Sequence, residues 1–185
     1  VLSSPSFLDY NNETYIFFGS NDDMIYAVDS DGNALSSWPK AVNGSIAGSV
    51  VFSDLDADGD PEIVAATDMG DVLALHLDGS NVEYFPISNG FPFTGSPMIT
   101  NLDEDGDLEI LAGASSNLFV IDVKEYGSNS NYWSMFRGNK QRSGIYMPSD
   151  DDPECGADLG DVTGDGNINI LDLVQIANYI LNVST

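Results

Sequence analysis

Three stretches of the sequence place carboxylate and amide side chains on alternate residues around a glycine. They begin at Asp54, Asn101 and Asp161, and they read DLDADGDPE, NLDEDGDLE and DVTGDGNINILD. Calcium is a hard cation that takes roughly six to eight oxygen ligands, and a short loop supplies them when every second side chain points inward. The glycine at the sixth place permits the sharp bend. The spacing therefore predicts three calcium loops, one ion in each.

The third loop has the fullest set of possible ligands. Its chelating side chains stand at places 1, 3, 5, 9 and 12 and are Asp161, Thr163, Asp165, Asn169 and Asp172. Gly166 stands at place 6, and Asn167 at place 7 can offer its backbone carbonyl. This arrangement is the EF-hand loop pattern.

The first two loops have no chelating residue at place 12, where Ala65 and Ala112 stand. Their ligand sets must therefore close earlier. For one ion, the side-chain ligands that we expect are Asp54, Asp56, Asp58 and Glu62. For the other, they are Asn101, Asp103, Asp105 and Glu109. We expect Asp60 and Asp107, at place 7, to bind through their carbonyls. The alternative is an acidic turn without a metal, since Asp, Asn and Gly are the commonest turn residues.

The charge of the chain is strongly negative. Five Lys and Arg residues stand against thirty Asp and Glu residues, which gives a net charge of −25. Such an imbalance repels nucleic acid and anionic membrane surfaces, so neither is an expected partner. Much of the excess lies in the predicted loops and in the acidic run Asp150–Glu154. Metal binding explains the excess better than a general surface acidity, although a solvated acidic surface is a second interpretation.

The location that we predict is extracellular. Loops of this type usually need the millimolar calcium found outside cells. No run of about eighteen apolar residues occurs, so no membrane insertion is expected. The first residues, VLSSPSFLDY, lack an initiator Met and a charged signal region, which favours a mature or cut piece. Cys155 is the single cysteine, and we expect it to be free.

The first two calcium loops belong to a longer repeat. The apolar runs that begin at Ile16, Ile63 and Ile110 follow one another at steps of 47 residues. Serines precede the repeats nearly in register, at Ser4, Ser49 and Ser96. Short β-rich runs separated by Gly and Asp predict sheet, and a repeat of this length fits a four-stranded propeller blade. The predicted fold is mainly β, with three propeller-type blades in residues 1–145.

The pattern GSxxxxDLDxDGDxEIxxA resembles the FG-GAP or VCBS repeats of integrin-type β-propellers. The resemblance implies that each ion pins the hairpin between the first two strands of its blade. The first unit reads LDYNNETYIFF there, is two residues shorter and lacks the glycine, so no ion is expected in it. Closed propellers typically have about four to eight blades. Either further blades lie outside this sequence, or another chain completes an open array.

The segment YWSMFRGNKQRSGIY, residues 132–146, ends the repeat region and holds three of the five basic residues. One interpretation is a basic docking patch for an acidic neighbour, formed by Arg137, Lys140 and Arg142. The other is a final strand whose Trp133 and Phe136 seal the last blade. Residues 146–157, with two prolines and an acid run, are predicted to be a linker.

A calcium loop followed by an apolar helix is predicted in residues 158–185. Asn169 is a plausible N-cap, and Leu173, Ile176, Ala177 and Ile180 share one helical face. The stretch GDVTGDGNINILDLVQIANYIL resembles one half of a type I dockerin, with Thr163 in place of the usual Asn. The resemblance implies calcium binding by loop and exit helix, and docking to a cohesin-like protein. Packing of the helix onto the chain's own blades is the alternative.

No residue pattern predicts catalysis. His76 is the one histidine, the chain has no Gly-x-Ser-x-Gly elbow, and the close acidic pairs belong to metal loops. We therefore expect a noncatalytic, calcium-binding extracellular module for protein interaction or adhesion. A self-assembling structural subunit, in which one copy completes the next, is a second hypothesis. The accessory C-terminal region of a larger secreted hydrolase is a third. Exposed Tyr and Trp residues leave carbohydrate as a possible further ligand.

Overall fold

The computed structural model describes residue 1 and residues 3–145. The chain divides into two units, Val1–Tyr146 and Met147–Thr185, so the description concerns the first of them. Its described residues form eleven β-strands in three antiparallel sheets, with no helix among them. The predicted mainly β architecture is confirmed for this part of the chain. The predicted calcium loop from Asp161, the terminal helix and the linker of residues 146–157 lie outside the described residues.

The first sheet is a four-stranded meander. Its strands are β1 (Ser6–Tyr10), β2 (Glu13–Gly19), β3 (Met24–Asp29) and β4 (Lys40–Ala41), in that spatial order. Asn11 and Asn12 alone join β1 to β2, and their φ angles of 54° and 62° are those of a tight hairpin turn. This two-residue turn occupies the place that a longer acidic loop takes in the second and third sheets.

The second sheet repeats the same topology. Its strands are β5 (Val51–Ser53), β6 (Glu62–Ala66), β7 (Asp71–Leu75) and β8 (Ile87–Ser88). Every residue of β5, β6 and β7 is buried. Burial on both faces explains why these strands read as apolar runs without polar alternation, since no face needs to meet water.

The third sheet has three strands in the described part of the chain. They are β9 (Met98–Thr100), β10 (Asp107–Gly113) and β11 (Leu118–Tyr126), in the spatial order β11-β10-β9. From Leu118 to Lys124 of β11, exposed and half-buried residues alternate, so this part of the strand presents one face to solvent. In the described residues, the third sheet therefore has one strand fewer than the four-stranded blade that the sequence repeat predicts.

Two apolar cores hold the sheets together, and the second sheet contributes to both. In the first core, Phe17 and Trp38 of the first 47-residue repeat pack with Phe52 and Ile63 of the second repeat. Val64 belongs to the other core, with apolar residues of the third sheet such as Ile99 and Ile110. Neighbouring residues of β6 thus enter opposite cores, as successive strand side chains must. The middle sheet is enclosed between the other two.

The 47-residue period of the sequence is also a period of the backbone in the first two units. Pro39 and Pro86 both follow cis peptide bonds. The N–H groups of Leu35 and Val82 donate equivalent hydrogen bonds of 3.0 Å to the third strands of their sheets. The two units are therefore structural repeats. Whether they are blades of a propeller stays a prediction.

The chain returns to the second sheet after β11. Ser128 and Asp54 exchange two backbone hydrogen bonds of 2.9 and 2.7 Å, and the Phe52 N–H donates to the Trp133 carbonyl at 2.9 Å. The Trp133 ring lies edge to face on Phe7 of β1, 5.3 Å between centroids. The expectation that Trp133 seals the last unit is therefore wrong. Pairing with β5 carries this residue to the core between the first and second sheets.

Candidate metal centres

The first acidic loop joins β5 to β6 and begins on a nearly buried residue. Asp54 is 7% exposed because it follows the fully buried end of β5 and pairs with Ser128. Asp56 and Asp58 follow Asp54 in the same loop. Each of the three residues offers a carboxylate oxygen, and these oxygens lie within 4.8 Å of one another. The geometry thus brings these three side chains together, and their role as metal ligands stays a prediction.

Hydrogen bonds inside the loop give it a defined shape. The Gly59 N–H donates to Asp54 Oδ2 at 3.1 Å, and the Asp60 N–H donates to Asp58 Oδ1 at 2.8 Å. Ala57 and Gly59 have φ angles of 58° and 93°, in the left-handed region. The sharp bend expected at the loop glycine is present, because glycine adopts positive φ without steric cost.

Glu62 closes the loop from the first position of β6. It is 1% exposed, and its Oε2 accepts a hydrogen bond of 2.7 Å from the Leu55 N–H. Its Oε1 has no hydrogen-bond partner among the described residues and lies 3.4 Å from His76 Nδ1. Burial, opposed by the hydrogen bond from the Leu55 N–H and reinforced by the charges of the nearby carboxylates, raises the pKa of Glu62 to about 8. A buried carboxylate of this kind needs a counter-charge in order to ionise.

Asp60 and Glu62, two predicted ligands of the first ion, are not among the three converging carboxylates. Among the described residues, the group within 4.8 Å contains neither Asp60 nor Glu62. The Asp60 carboxylate instead accepts a hydrogen bond from the Tyr10 hydroxyl. This contact joins the first sheet to the loop of the second. The carbonyl role predicted for Asp60 stays a prediction.

The second acidic loop joins β9 to β10 and brings four carboxylates together. Oxygens from Asp103, Asp105, Asp107 and Glu109 lie within 4.8 Å of one another. Three of these were predicted as side-chain ligands, whereas Asp107 was expected to use its carbonyl. The structure adds its carboxylate to the group. Asn101 orders the start of the loop, since its Oδ1 accepts a hydrogen bond of 2.6 Å from the Glu104 N–H.

Glu109 repeats the role of Glu62. It is 4% exposed, and its Oε2 accepts a hydrogen bond from the Leu102 N–H, which is the equivalent of Leu55. The φ angles of Glu104 and Gly106, 65° and 102°, also match those of the first loop. The two loops are therefore built to one plan, with the same turn and the same glutamate bridge.

In the second acidic loop, a hydrogen bond between Asp105 and Asp107 shifts the pKa values of the two carboxyl groups in opposite directions. A hydrogen bond with Asp105, together with burial and the Asp105 charge, raises the pKa of Asp107 to about 6. The same hydrogen bond lowers the pKa of Asp105. Lys124 on β11 provides one cationic neighbour, with its Nζ 3.7 Å from Asp107 Oδ2 and in contact with Asp122. Close carboxylates share a proton in this way when no metal neutralises them.

The donor sets of both loops suit a hard divalent cation. In each loop, two buried carboxylate oxygens have no hydrogen-bond partner among the described residues: Asp54 Oδ1 and Glu62 Oε1 in the first, and Asp107 Oδ1 and Glu109 Oε1 in the second. Buried charged oxygens are normally paired, hydrogen-bonded or bound to metal. Oxygen-only ligands in a flexible loop are those that calcium prefers. The residues present therefore fit calcium.

The comparisons with known proteins concern the other end of the chain. Residues 159–185 match the family model of the dockerin type I domain. Dockerin domains are noncatalytic modules that bind calcium and dock to cohesin domains. The dockerin resemblance predicted from the sequence is confirmed for this segment, while no family match supports the FG-GAP or VCBS resemblance. Comparison with curated proteins gives no match.

Sequence reasoning missed several residues around the first loop. His76 was given no role in a metal site, yet it approaches Glu62, and Tyr10 reaches Asp60 from another sheet. Neither contact has a signal in the spacing of the loop, because both depend on how separate strands pack.

Among the described residues, no helix is long and apolar enough to cross a bilayer.

Proposed function

We propose that this chain is a noncatalytic, calcium-binding extracellular module that docks to a protein partner through its dockerin segment. The observation that carries the proposal is the family match of residues 159–185. The expected partner is a cohesin-like domain. Asp161, Thr163, Asp165, Asn167, Asn169 and Asp172 are the proposed ligands of the calcium ion in that segment.

In the β-sheet unit, the proposed role of calcium is structural. One ion would be held by the first loop and one by the second, with Glu62 and Glu109 near each site. The ion would neutralise carboxylates that otherwise repel one another and would fix the β5–β6 and β9–β10 hairpins. The buried, unpartnered oxygens of both loops support this role. Calcium then contributes to folding stability, because it binds the folded loops and not the unfolded chain.

The docking proposal is tested by isothermal titration calorimetry of the full chain against a type I cohesin domain. Binding should be measurable in calcium and lost in EDTA. The double variant Asp161→Ala with Asp165→Ala should abolish binding, because both predicted ligands are removed. Asp54→Asn, which removes a carboxylate from the first loop of the β-sheet unit, is the matched control and should bind as the parent does. Undiminished binding of the double variant would refute the assignment of this loop.

A second candidate function is self-assembly into an extracellular polymer. The observation that favours it is the outer face of β11, which lies at the edge of the third sheet and exposes Leu118 and Val120 by 66% and 44%. Exposed apolar side chains beside an unpaired strand edge invite a neighbouring sheet. Analytical ultracentrifugation distinguishes the two functions. A calcium-dependent ladder of assemblies favours polymerisation, whereas a monomer that binds cohesin favours the docking module.

A further inference from the structure

A cavity of about 440 Å³ lies next to the beginnings of the first strands of the three sheets. Its described lining comes from Ser4, from residues 47–49 and 94–96, and from Phe136 and Arg142. Ser4, Ser49 and Ser96 each stand two residues before the first strand of their own sheet. The serines that accompany the sequence repeat thus meet at one site.

Close backbone contact holds the walls of this cavity in place. The Ser49 N–H donates a hydrogen bond of 2.7 Å to Ser96 Oγ. A Cβ at Gly48 would lie 2.4 Å from the Gly95 carbonyl oxygen, so a larger residue could not be accommodated there. Two equivalent segments of the repeat are therefore packed side by side. This contact fixes the part of the wall that residues 47–49 and 94–96 form, whereas Phe136 and Arg142 contribute side chains.

One buried group in the lining lacks the partner that it needs. Ser49 is 3% exposed, and its hydroxyl makes no hydrogen bond with any described residue. A buried hydroxyl without a hydrogen bond costs free energy, so such groups normally find a partner. Ser96 Oγ already accepts the Ser49 N–H, which leaves its own proton available for donation. Ser49 and Ser96, both in the lining, thus each carry a hydroxyl group with unused capacity to donate, and the Ser49 oxygen is buried.

The charge of the lining is opposite to that of the chain as a whole. The described lining contains Arg142 and no carboxylate, although the chain has thirty acidic residues. Within the described part of the chain, Arg142 forms no ion pair. A second cavity, of about 560 Å³, contrasts with it because Asp60 and Asp78 contribute to its wall. An anion is therefore better accommodated in the cavity beside Arg142 than in this second cavity.

We propose that this cavity binds a small polyhydroxy carboxylate, of which a sugar acid is the common example. The volume lies within the range of roughly 300–1,000 Å³ that is typical of small-molecule sites and exceeds what a simple anion needs. Arg142 can bind the carboxylate by charge-assisted hydrogen bonds, and the serine hydroxyls can bind the ligand's hydroxyl groups. Phe136 also belongs to the lining, and the Arg137 guanidinium lies over its ring, 5.4 Å from the centroid. The proposal is independent of the docking function.

The test is calorimetric titration of the full chain with glucuronate and galacturonate, with glucose and galactose as uncharged counterparts. The uronates should bind at least about tenfold more tightly than the neutral sugars, because a charged hydrogen bond is worth about that factor or more. Absence of uronate binding, or equal binding of the neutral sugars, would overturn the proposal.

Variants locate the site. Arg142→Gln should weaken uronate binding about tenfold or more, whereas Lys140→Gln, an equal change of charge at a neighbouring exposed residue outside the lining, should have little effect. Ser49→Ala should also weaken binding, yet leave the melting temperature of the ligand-free protein unchanged or raised, because it removes an unpartnered hydroxyl. Equal losses in the Arg142 and Lys140 variants would mean general electrostatic attraction and would refute the site. Unchanged binding by Ser49→Ala would also contradict it.

Discussion

Replacement of Asp54 by Asn should change stability in opposite directions with and without calcium. The carboxylate oxygens of Asp54, Asp56 and Asp58 lie within 4.8 Å of one another. Two unit charges at that separation repel by about 0.9 kcal/mol even in the dielectric of water. Asp54 takes part in two such pairs, so its neutralisation should relieve about 2 kcal/mol in the metal-free protein at low salt.

In calcium the same substitution removes a ligand. A site that is occupied at roughly one hundred times its dissociation constant adds about 2.7 kcal/mol to the free energy of unfolding. Because the relief of about 2 kcal/mol persists when the site is lost, the net decrease in calcium should be about 0.7 kcal/mol, which lowers the melting temperature by roughly 2–3 °C in a domain of this size. Without calcium, the melting temperature should instead rise by several degrees, because the hydrogen bond from Gly59 can be kept by the amide oxygen.

The assay is thermal unfolding followed by circular dichroism at low ionic strength, in calcium and in EDTA. Asp31→Asn is the matched control, since it removes one negative charge from an exposed turn outside both loops. This control should change the melting temperature little and equally in the two conditions. An equal decrease for Asp54→Asn in calcium and in EDTA would refute the reasoning. It would show that the carboxylate serves only the hydrogen bonding of the loop.

Three further outcomes follow from the same geometry. Burial raises the pKa of Glu62 to about 8, above its unfolded value, so the metal-free protein should lose stability as pH rises towards and through 8. Glu62→Gln should flatten that dependence in EDTA melts, and an unchanged slope would contradict the assignment. Gly106→Ala should cost about 1 kcal/mol or more in urea unfolding, because φ is 102° and the Cβ would lie 2.7 Å from Tyr126, whereas Gly113→Ala, which meets nothing within 4 Å, tests for a general glycine effect. Phe52→Ala should cost about 3–5 kcal/mol in the same assay, since Phe52 is fully buried, and a cost below about 1 kcal/mol would mean that the core collapses around the gap.

The spacing of residues in the sequence was enough to predict the acidic loops and the repeat. Ligand spacing is a local property, because alternate side chains of a short loop point the same way whatever the rest of the chain does. Asp54, Asp56 and Asp58 accordingly converge as expected. The dockerin segment was also recognisable, since its motif is contiguous in sequence and matches a family model.

Only the tertiary structure decided how the loops are supported. Glu62 and Glu109 bridge to backbone N–H groups seven residues earlier, which depends on the depth at which β6 and β10 are buried. The return of the chain to β5 carries Trp133 to the first core, a long-range pairing that no local pattern specifies. Burial of the middle sheet on both faces, and the meeting of the repeat serines in one cavity, arise in the same way. These features depend on packing between strands that are distant in sequence, whereas the ligand spacing depends only on neighbours along the chain.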